Sequence, residues 1–198
     1  MPKRILCLET DWGINNSSRR LVDSATVRPL FDFISNCSYL NLKVTYKTVS
    51  TVEELHFLLS QMRKNQNSDF DIVYFAFHGA KGKIQLFEAK DVNTYSRLVS
   101  LEELSEMADG CLSGKKVMFG SCSTLSAAES RINSFIEKTG ATMVSGYKKS
   151  VDYVRSSILD LALISEIAVS RKQSPDYLRQ QLEKRYSGLM EELKMVIY

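Results

Sequence analysis

The chain has 198 residues, of which 44% are hydrophobic and 25% are charged, and its formal net charge is +3. This length and composition are typical of a globular chain that buries most of its apolar surface, so we predict one domain over residues 1–198. The basic residues occur in short runs, without the basic stripe of a nucleic-acid binder. No stretch of sequence approaches the ~20 apolar residues of a membrane span. We therefore expect neither nucleic acid nor a membrane as a partner.

The amino terminus and the cysteines indicate the compartment. The apolar run at residues 5–8 is too short for the hydrophobic part of a signal peptide and has no small-residue cleavage site after it. The four cysteines, at positions 7, 37, 111 and 122, show no CxxC spacing, which argues against a zinc site and against a disulfide framework. We expect a cytoplasmic protein with reduced thiols, no metal and no other cofactor.

In chain order, short apolar runs alternate with longer segments of helical period. The runs predict five strands, at residues 4–8, 42–48, 71–77, 116–119 and 142–145. The helical segments lie at about 24–36, from 50 or 51 onward, from 100 onward, at about 127–139, at about 155–170 and from 174 onward. Hydroxyl or proline signals mark several helix starts, and Gly140 is a good stop for the fourth helix. Residues 82–88 are predicted as a small extra hairpin.

The alternation of strand and helix predicts an α/β fold, a three-layer sandwich in which a mostly parallel sheet carries helices on both faces. The run at 71–77 agrees with this arrangement, because a parallel strand covered on both faces is continuously apolar. In such sheets ligands bind at the edge where the carboxyl ends of the strands meet. Functional residues are therefore expected directly after the strands.

A histidine and a cysteine follow neighbouring strands at this edge. His78 comes directly after the third strand, and Cys122 follows the fourth strand, 44 residues later. A thiolate is a competent nucleophile, and an imidazole beside it can take its proton and later protonate a leaving amine. The pattern predicts a catalytic dyad of His78 and Cys122; the alternative is an idle site with a buried, structural cysteine.

The residues around this pair favour the same chemistry. Gly79 has no side chain, so its N–H can approach a substrate carbonyl. The N–H groups of Gly79 and Cys122 together predict an oxyanion hole, in which each donor is worth about 3 kcal/mol of transition-state stabilisation. Cys122 is also expected just before the fourth helix, where the helix N-terminus favours negative charge. Gly120 is expected to leave room beside the nucleophile.

Two motifs carry a resemblance to a known group of enzymes. An apolar strand ends in His-Gly at residues 74–79, and a second ends in Gly-Ser-Cys-Ser at residues 117–123. This pattern resembles that of the caspase-like cysteine peptidases, which include caspases, metacaspases, gingipains, separases and bacterial CHAT domains; in caspases the two residues are about 50 apart. The resemblance covers most of the chain and implies a caspase-like (flavodoxin-like) topology. The chain is also similar to a family of small uncharacterised bacterial proteins with Phe-His-Gly and Gly-Ser-Cys-Ser motifs.

The resemblance also implies where a substrate would bind. In the caspase-like fold, the pocket for the residue before the scissile bond is built from the ends of the first, fourth and fifth strands. The residues at those ends are Glu9, Asp11, Trp12, Gly120, Ser121, Tyr147 and Asp152. A carboxylate at the pocket floor would select Arg or Lys. The alternatives are that Glu9 and Asp11 cap the following loop or pair with a lysine, and that Trp12 packs on a loop.

The sequence departs from caspases in two respects. Caspases carry Gln-Ala-Cys-x-Gly at the nucleophile, where this chain has Gly-Ser-Cys-Ser-Thr. The long cleavable linker that follows the caspase nucleophile is absent, so activation by linker cleavage is not expected. A homodimer or a regulatory partner could control activity instead.

Other functional classes fit less well. A flavodoxin-type binder needs a phosphate loop rich in Ser, Thr and Gly after the first strand, where residues 9–13 are acidic. A phosphoreceiver needs a carboxylate where His78 stands, and a serine hydrolase needs a Gly-x-Ser-x-Gly elbow, which the sequence lacks. We therefore predict a cysteine endopeptidase acting on a protein or peptide. The alternative is a catalytically silent interaction or regulatory module on the same fold.

Overall fold

The computed structural model describes residues 1–11, 26–64, 69–90 and 93–198. The strands in these ranges are β1 (Lys3–Glu9), β2 (Leu42–Thr48), β3 (Ile72–Ala76), β4 (His78–Ala80), β5 (Lys83–Lys90), β6 (Asn93–Ser100), β7 (Lys116–Phe119), β8 (Met143–Tyr147) and β9 (Met195–Ile197). The helices are α1 (Arg28–Ser35), α2 (Val52–Met62), α3 (Leu101–Ala108), α4 (Glu129–Thr139), α5 (Tyr153–Val169) and α6 (Pro175–Leu193).

Across the described residues, six strands form a central sheet in the order β2-β1-β3-β7-β8-β9. All neighbouring strands are parallel except β8 and β9, which are antiparallel. The chain moves from β1 outward to β2 on one side and then to β3, β7 and β8 on the other. The order of the parallel strands is therefore doubly wound, with its switch point between β1 and β3. This confirms the predicted α/β class with a mostly parallel sheet.

The helices cover both faces of the sheet, as the continuously buried strand β3 predicts. Because side chains alternate along a strand, successive residues of each strand enter different cores. On one face, β3 and β7 contribute Phe75 and Phe119 to a core shared with α2, α3 and α4. On the other face, Tyr74 and Met118 enter a core shared with α1, α5 and α6.

The helix ends follow the signals in the sequence. Thr51 and Ser100 each form a capping box with the glutamate three residues later, so α2 and α3 begin where expected. Ser174 caps α6 ahead of Pro175. Gly140 ends α4 in the left-handed conformation, with φ 67°, in which a side chain would be strained. Among the described residues, no helix combines the length and the hydropathy that a membrane-spanning segment requires.

Three of the described strands, β4, β6 and β9, lie outside the predicted elements. The hairpin expected at 82–88 is longer, because β5 pairs antiparallel with β6 from Lys83↔Ser100 to Lys90↔Asn93. Together with β4 these strands form a second sheet in the order β4-β5-β6. Strand β9 has three residues and adds an antiparallel edge to β8. Neither β6 nor β9 shows the apolar pattern of a strand in the sequence, because β6 is largely polar and β9 has only three residues. Pairing with a neighbouring strand, β5 or β8, is what defines each of them.

Candidate active site

His78 and Cys122 emerge at the same edge of the sheet from adjacent strands, β3 and β7. The segments that carry them are in direct contact. A Cβ atom added to Gly79 would lie 2.2 Å from the carbonyl oxygen of Cys122 and 2.5 Å from the hydroxyl of Thr124. Only glycine fits at position 79 without moving the backbone after β7, and this close approach puts the segment that carries His78 in contact with the segment that carries Cys122.

Residues 120–124, here called the Cys122 turn, are held by bonds within the turn and on two sides. Ser123 adopts the left-handed conformation with φ 56°, and its N–H donates to the carbonyl oxygen of Lys149 at 2.9 Å. The hydroxyls of Ser121 and Thr124 are 2.7 Å apart, and Thr124 also donates to the carbonyl oxygen of Lys83 at 3.1 Å. The turn is therefore tied both to the β4–β5 hairpin and to the segment after β8.

The sulfur of Cys122 is half-buried against that segment. The backbone N–H of Val151 lies 3.4 Å from the sulfur and the hydroxyl of Ser150 lies 3.6 Å from it, both as donors. The carbonyl oxygen of Val151, at 3.8 Å, can accept from the thiol. Donors directed at a sulfur stabilise negative charge on it, which is what a cysteine nucleophile requires.

The helix N-terminus expected beside Cys122 lies elsewhere, and this prediction was wrong. Helix α4 begins only at Glu129, after a 3-10 turn at Thr124–Ser126. The segment against the sulfur leads into α5 instead, whose cap is Asp152. The sulfur therefore has the Val151 N–H as its backbone donor, just outside α5, rather than the first turn of α4.

His78 opens β4, which pairs with β5 in antiparallel register. Its side chain is exposed, and its remaining burial lowers the pKa of the imidazole from its ordinary value, because burial disfavours the charged form. A lowered pKa favours the neutral imidazole near pH 7, the form that can accept a proton from a thiol.

One of the two predicted oxyanion-hole donors is open. Within the described ranges, the backbone N–H of Cys122 makes no hydrogen bond to the protein. Gly79 stands in β4 opposite Ile84, and its role as the second donor stays a prediction. A backbone N–H without a partner among the described residues is the kind of group that can stabilise negative charge on a carbonyl oxygen bound beside it.

Glu9 is buried, 2% exposed, and its carboxylate is occupied by the protein. It accepts from the Thr26 hydroxyl at 2.6 Å, from the Val27 N–H at 2.7 Å and from the Tyr46 hydroxyl. These bonds join the end of β1 to the start of α1 and to β2. The arrangement agrees with the alternative in which Glu9 binds the segment that follows it, rather than forming a pocket floor.

Three other predicted substrate residues have structural contacts instead. The Ser121 side chain is 1% exposed and Tyr147 is 0% exposed, so neither presents its hydroxyl to a groove. The Tyr147 hydroxyl donates within the core, where the Asp160 carboxylate lies at 2.8 Å and the Ser156 carbonyl oxygen at 2.9 Å. Gly120 does not open space beside the sulfur, because a Cβ there would lie 2.0 Å from the Tyr74 hydroxyl oxygen. We correct these three expectations accordingly.

The remaining carboxylates differ in position. Asp152 is exposed next to Val151, and one of its oxygens accepts from the Arg155 N–H at 2.9 Å as the cap of α5. Asp11 is half-buried beyond the end of β1. Trp12 lies outside the described residues. Asp152 is thus the predicted pocket residue whose backbone is closest in sequence to the sulfur's hydrogen-bond partners.

Sequence reasoning missed Ser150 and Val151, the residues that contact the sulfur. Their signal was present but indirect, since both directly precede the cap of α5 at the carboxyl end of β8. It also missed Asp160, which lies inside α5 and carries no motif.

A family comparison matches nearly the whole chain. The model of a family of unknown function (DUF6642) matches residues 2–198. The chain belongs to this family. No curated protein matches the chain. Among the described residues, no group of three His, Cys, Asp or Glu side chains is placed to hold a metal ion.

Proposed function

We propose that this protein is a caspase-like cysteine endopeptidase with Cys122 as nucleophile and His78 as general acid and base. The observation that carries the proposal is the contact between the two segments, in which Gly79 lies against the carbonyl of Cys122. The hydrogen-bond donors at the sulfur support it, because they stabilise the charged form that attacks. The strand order supports the caspase-like topology, since the parallel strands wind outward from β1 and β3.

The reaction follows from the groups present. His78 takes the proton of the Cys122 thiol, and the sulfur attacks the scissile carbonyl carbon to form a tetrahedral intermediate. The Cys122 N–H donates to its oxyanion. The intermediate expels the amine, which takes the proton from the His78 imidazolium, and leaves a thioester. Water then attacks the thioester as His78 accepts its proton, and the acid and the free thiol are released.

The proposed preference for a basic residue before the scissile bond rests on fewer carboxylates than the sequence suggested. Glu9 is occupied by Thr26, Val27 and Tyr46. Asp152 remains, exposed and with one oxygen engaged as a helix cap. Its neighbour Arg155 forms an ion pair with Glu192 and so does not neutralise it fully. Asp152 is therefore the residue we propose to select Arg or Lys.

The test is cleavage of a peptide library that varies the residue before the scissile bond, compared between the unaltered protein, Cys122→Ala and His78→Ala. We expect cleavage after Arg or Lys, lost in both variants by at least ~100-fold, since general acid–base catalysis alone contributes about 10² to 10⁴. Cys37→Ala is the matched control, because Cys37 is also half-buried but lies just past the end of α1.

Two outcomes would contradict the proposal. Cleavage that survives in Cys122→Ala would assign the activity to another group. Absence of cleavage across the library, together with no preferential iodoacetamide labelling of Cys122 over Cys37, would favour the silent interaction module. Cleavage after Asp or Leu would keep the peptidase and remove the basic preference.

A further inference from the structure

A buried carboxylate lies beneath the Cys122 turn. Asp160 projects from α5 and is 6% exposed. One of its oxygens accepts from the Tyr74 hydroxyl at 2.6 Å, and the other lies 2.8 Å from the Tyr147 hydroxyl, whose single proton is shared with the Ser156 carbonyl oxygen at 2.9 Å. Tyr74 belongs to β3 and Tyr147 to β8, the strands on either side of β7. A single carboxylate therefore bridges the two neighbours of the strand that carries the nucleophile.

One arm of this bridge touches the Cys122 turn. A Cβ added to Gly120 would lie 2.0 Å from the Tyr74 hydroxyl oxygen and 2.5 Å from its ring carbon. The tyrosine is thus in close contact with the backbone two residues before Cys122. Asp160, by accepting from that hydroxyl, fixes the end of the side chain against which the turn rests.

The other arm reaches the segment that contacts the sulfur. Tyr147 is the last residue of β8 and leads directly into residues 148–151. In that segment, the Lys149 carbonyl accepts from Ser123, and the Val151 N–H lies 3.4 Å from the Cys122 sulfur. The Cys122 turn contacts Tyr74, and residues 148–151 follow Tyr147. Both segments are therefore linked, through a tyrosine hydroxyl, to the Asp160 carboxylate.

The polar bridge is not needed merely to fill the core. Moving a carboxylate out of water is costly, and an apolar side chain of similar size would be cheaper to bury. The titratable groups that face Asp160 are Tyr74 and Tyr147, and Cys7 of β1 pairs in register with Tyr74. Burial raises the pKa of all three, so they stay protonated at neutral pH. Among the described residues, no basic side chain pairs with Asp160.

We propose that Asp160 is a positioning residue, which holds the Cys122 turn and residues 148–151 in register through Tyr74 and Tyr147. Its effect on cleavage rests on the proposed peptidase function, whereas its effect on the thiol does not. The bridge is strongest when the carboxylate is charged, because hydrogen bonds to an ionised acceptor are stronger than neutral ones. Burial raises the pKa of Asp160 to about 6, so the charged form prevails above that pH.

The test compares Asp160→Asn, Tyr74→Phe and Tyr147→Phe with the unaltered protein and with Thr139→Val. Thr139 is a matched control, since among the described residues the partners of its buried hydroxyl lie within and just beyond the end of α4. The first readout is the rate at which iodoacetamide alkylates Cys122 between pH 5 and pH 8, measured by mass spectrometry with Cys37 as the internal standard. The second is kcat and KM on the best peptide substrate.

We expect each of the three variants to change the Cys122 alkylation rate relative to Cys37, with Thr139→Val unchanged. For Asp160→Asn, the Cys122 alkylation rate divided by that of the unaltered protein should approach one near pH 5. Above about pH 6 this ratio should depart from one. The kcat should fall about tenfold or more with little change in KM, because a misplacement of about 1 Å can cost about 100-fold. A purely structural role would not give this pH dependence.

The two tyrosine variants keep the proposal testable if Asp160→Asn does not fold. Unchanged alkylation in the folded variants, or a ratio that is flat across pH, would overturn the positioning role. If the unaltered protein cleaves no peptide and Cys122 is not labelled in preference to Cys37, the peptidase proposal fails, and the alkylation rates of the variants still decide whether Asp160 positions the thiol.

Discussion

The two faces of the central sheet differ in the side chains that pack against them. On the face covered by α2, α3 and α4, the hydrophobic core includes the rings of Phe75 and Phe119, which stack with centroids 5.4 Å apart. On the face covered by α1, α5 and α6, strands β3 and β8 place Tyr74 and Tyr147 around the buried carboxylate of Asp160. The Cys122 turn follows β7 between these faces. The apolar face is thus expected to supply stability, and the polar face to shape the candidate site.

The largest expected effect comes from the apolar face. Phe119 is 1% exposed and also contacts Phe135, with ring centroids 5.9 Å apart. Phe119→Ala should lower the free energy of unfolding by about 4 kcal/mol, through lost burial and the cavity that remains. Urea denaturation followed by circular dichroism measures this. Phe57→Ala, at an exposed position on α2, should change it by less than about 0.5 kcal/mol. A loss below about 1 kcal/mol for Phe119→Ala would show that this face is loosely packed.

The second effect distinguishes the polar face by its response to pH. Folding raises the pKa of Asp160 from 3.8 to about 6, chiefly because burial disfavours the charged carboxylate. The folded state therefore binds this proton more tightly than the unfolded chain, and the associated stability is fully present below about pH 4 and is lost as the pH rises through about 6. At about 1.4 kcal/mol per pH unit, the total change is about 3 kcal/mol.

Asp160→Asn isolates this contribution, because the other carboxylates titrate alike in both proteins. The difference in free energy of unfolding between the unaltered protein and the variant should fall by about 3 kcal/mol from about pH 4 to about pH 7. Denaturation curves at half-unit pH steps would measure it. Parallel stability profiles would mean that the carboxylate is solvated or paired in the folded protein.

The same contrast explains how much of the molecule could be predicted from sequence. Burial of whole strands such as β3 leaves a continuous apolar run, and the caps of α2 and α3 are local patterns of four residues, so both can be read directly. His78 and Cys122 could be placed at one edge because strand direction and connection rules fix where consecutive parallel strands end. These features depend on neighbours in the chain.

The polar contacts depend on residues far apart in the chain and leave no local pattern. Tyr74 and Asp160 are separated by 86 positions, and Glu9 meets Tyr46 across 37. A carboxylate after a strand can therefore signify either a binding site or an internal anchor, and Glu9 proved to be anchored. For the same reason Gly120 was assigned to the nucleophile's surroundings, although its missing side chain accommodates the ring of Tyr74.

The smallest expected effect compares two glycines that face opposite sides of the sheet. A Cβ at Gly120 would lie 2.0 Å from the Tyr74 hydroxyl oxygen, whereas a Cβ at Gly146 would meet the Phe119 carbonyl at 3.0 Å and a Leu125 methyl at 3.1 Å. Overpacking of this kind costs typically about 1 to 3 kcal/mol. Gly120→Ala should therefore lower the free energy of unfolding by about 2 kcal/mol, and Gly146→Ala by less than about 1 kcal/mol.

Stability alone does not separate the faces, so the alkylation rate of Cys122 completes this comparison. Gly120→Ala displaces the Tyr74 ring that rests against the Cys122 turn, and it should alter the rate at which iodoacetamide reaches the sulfur. Gly146→Ala presses on the apolar core and should leave that rate close to the unaltered value. Equal changes in the alkylation rate of both variants would mean that the position of the thiol depends on general packing around β7 rather than on the contacts of the polar face. The two faces would then not differ in their effect on the candidate site.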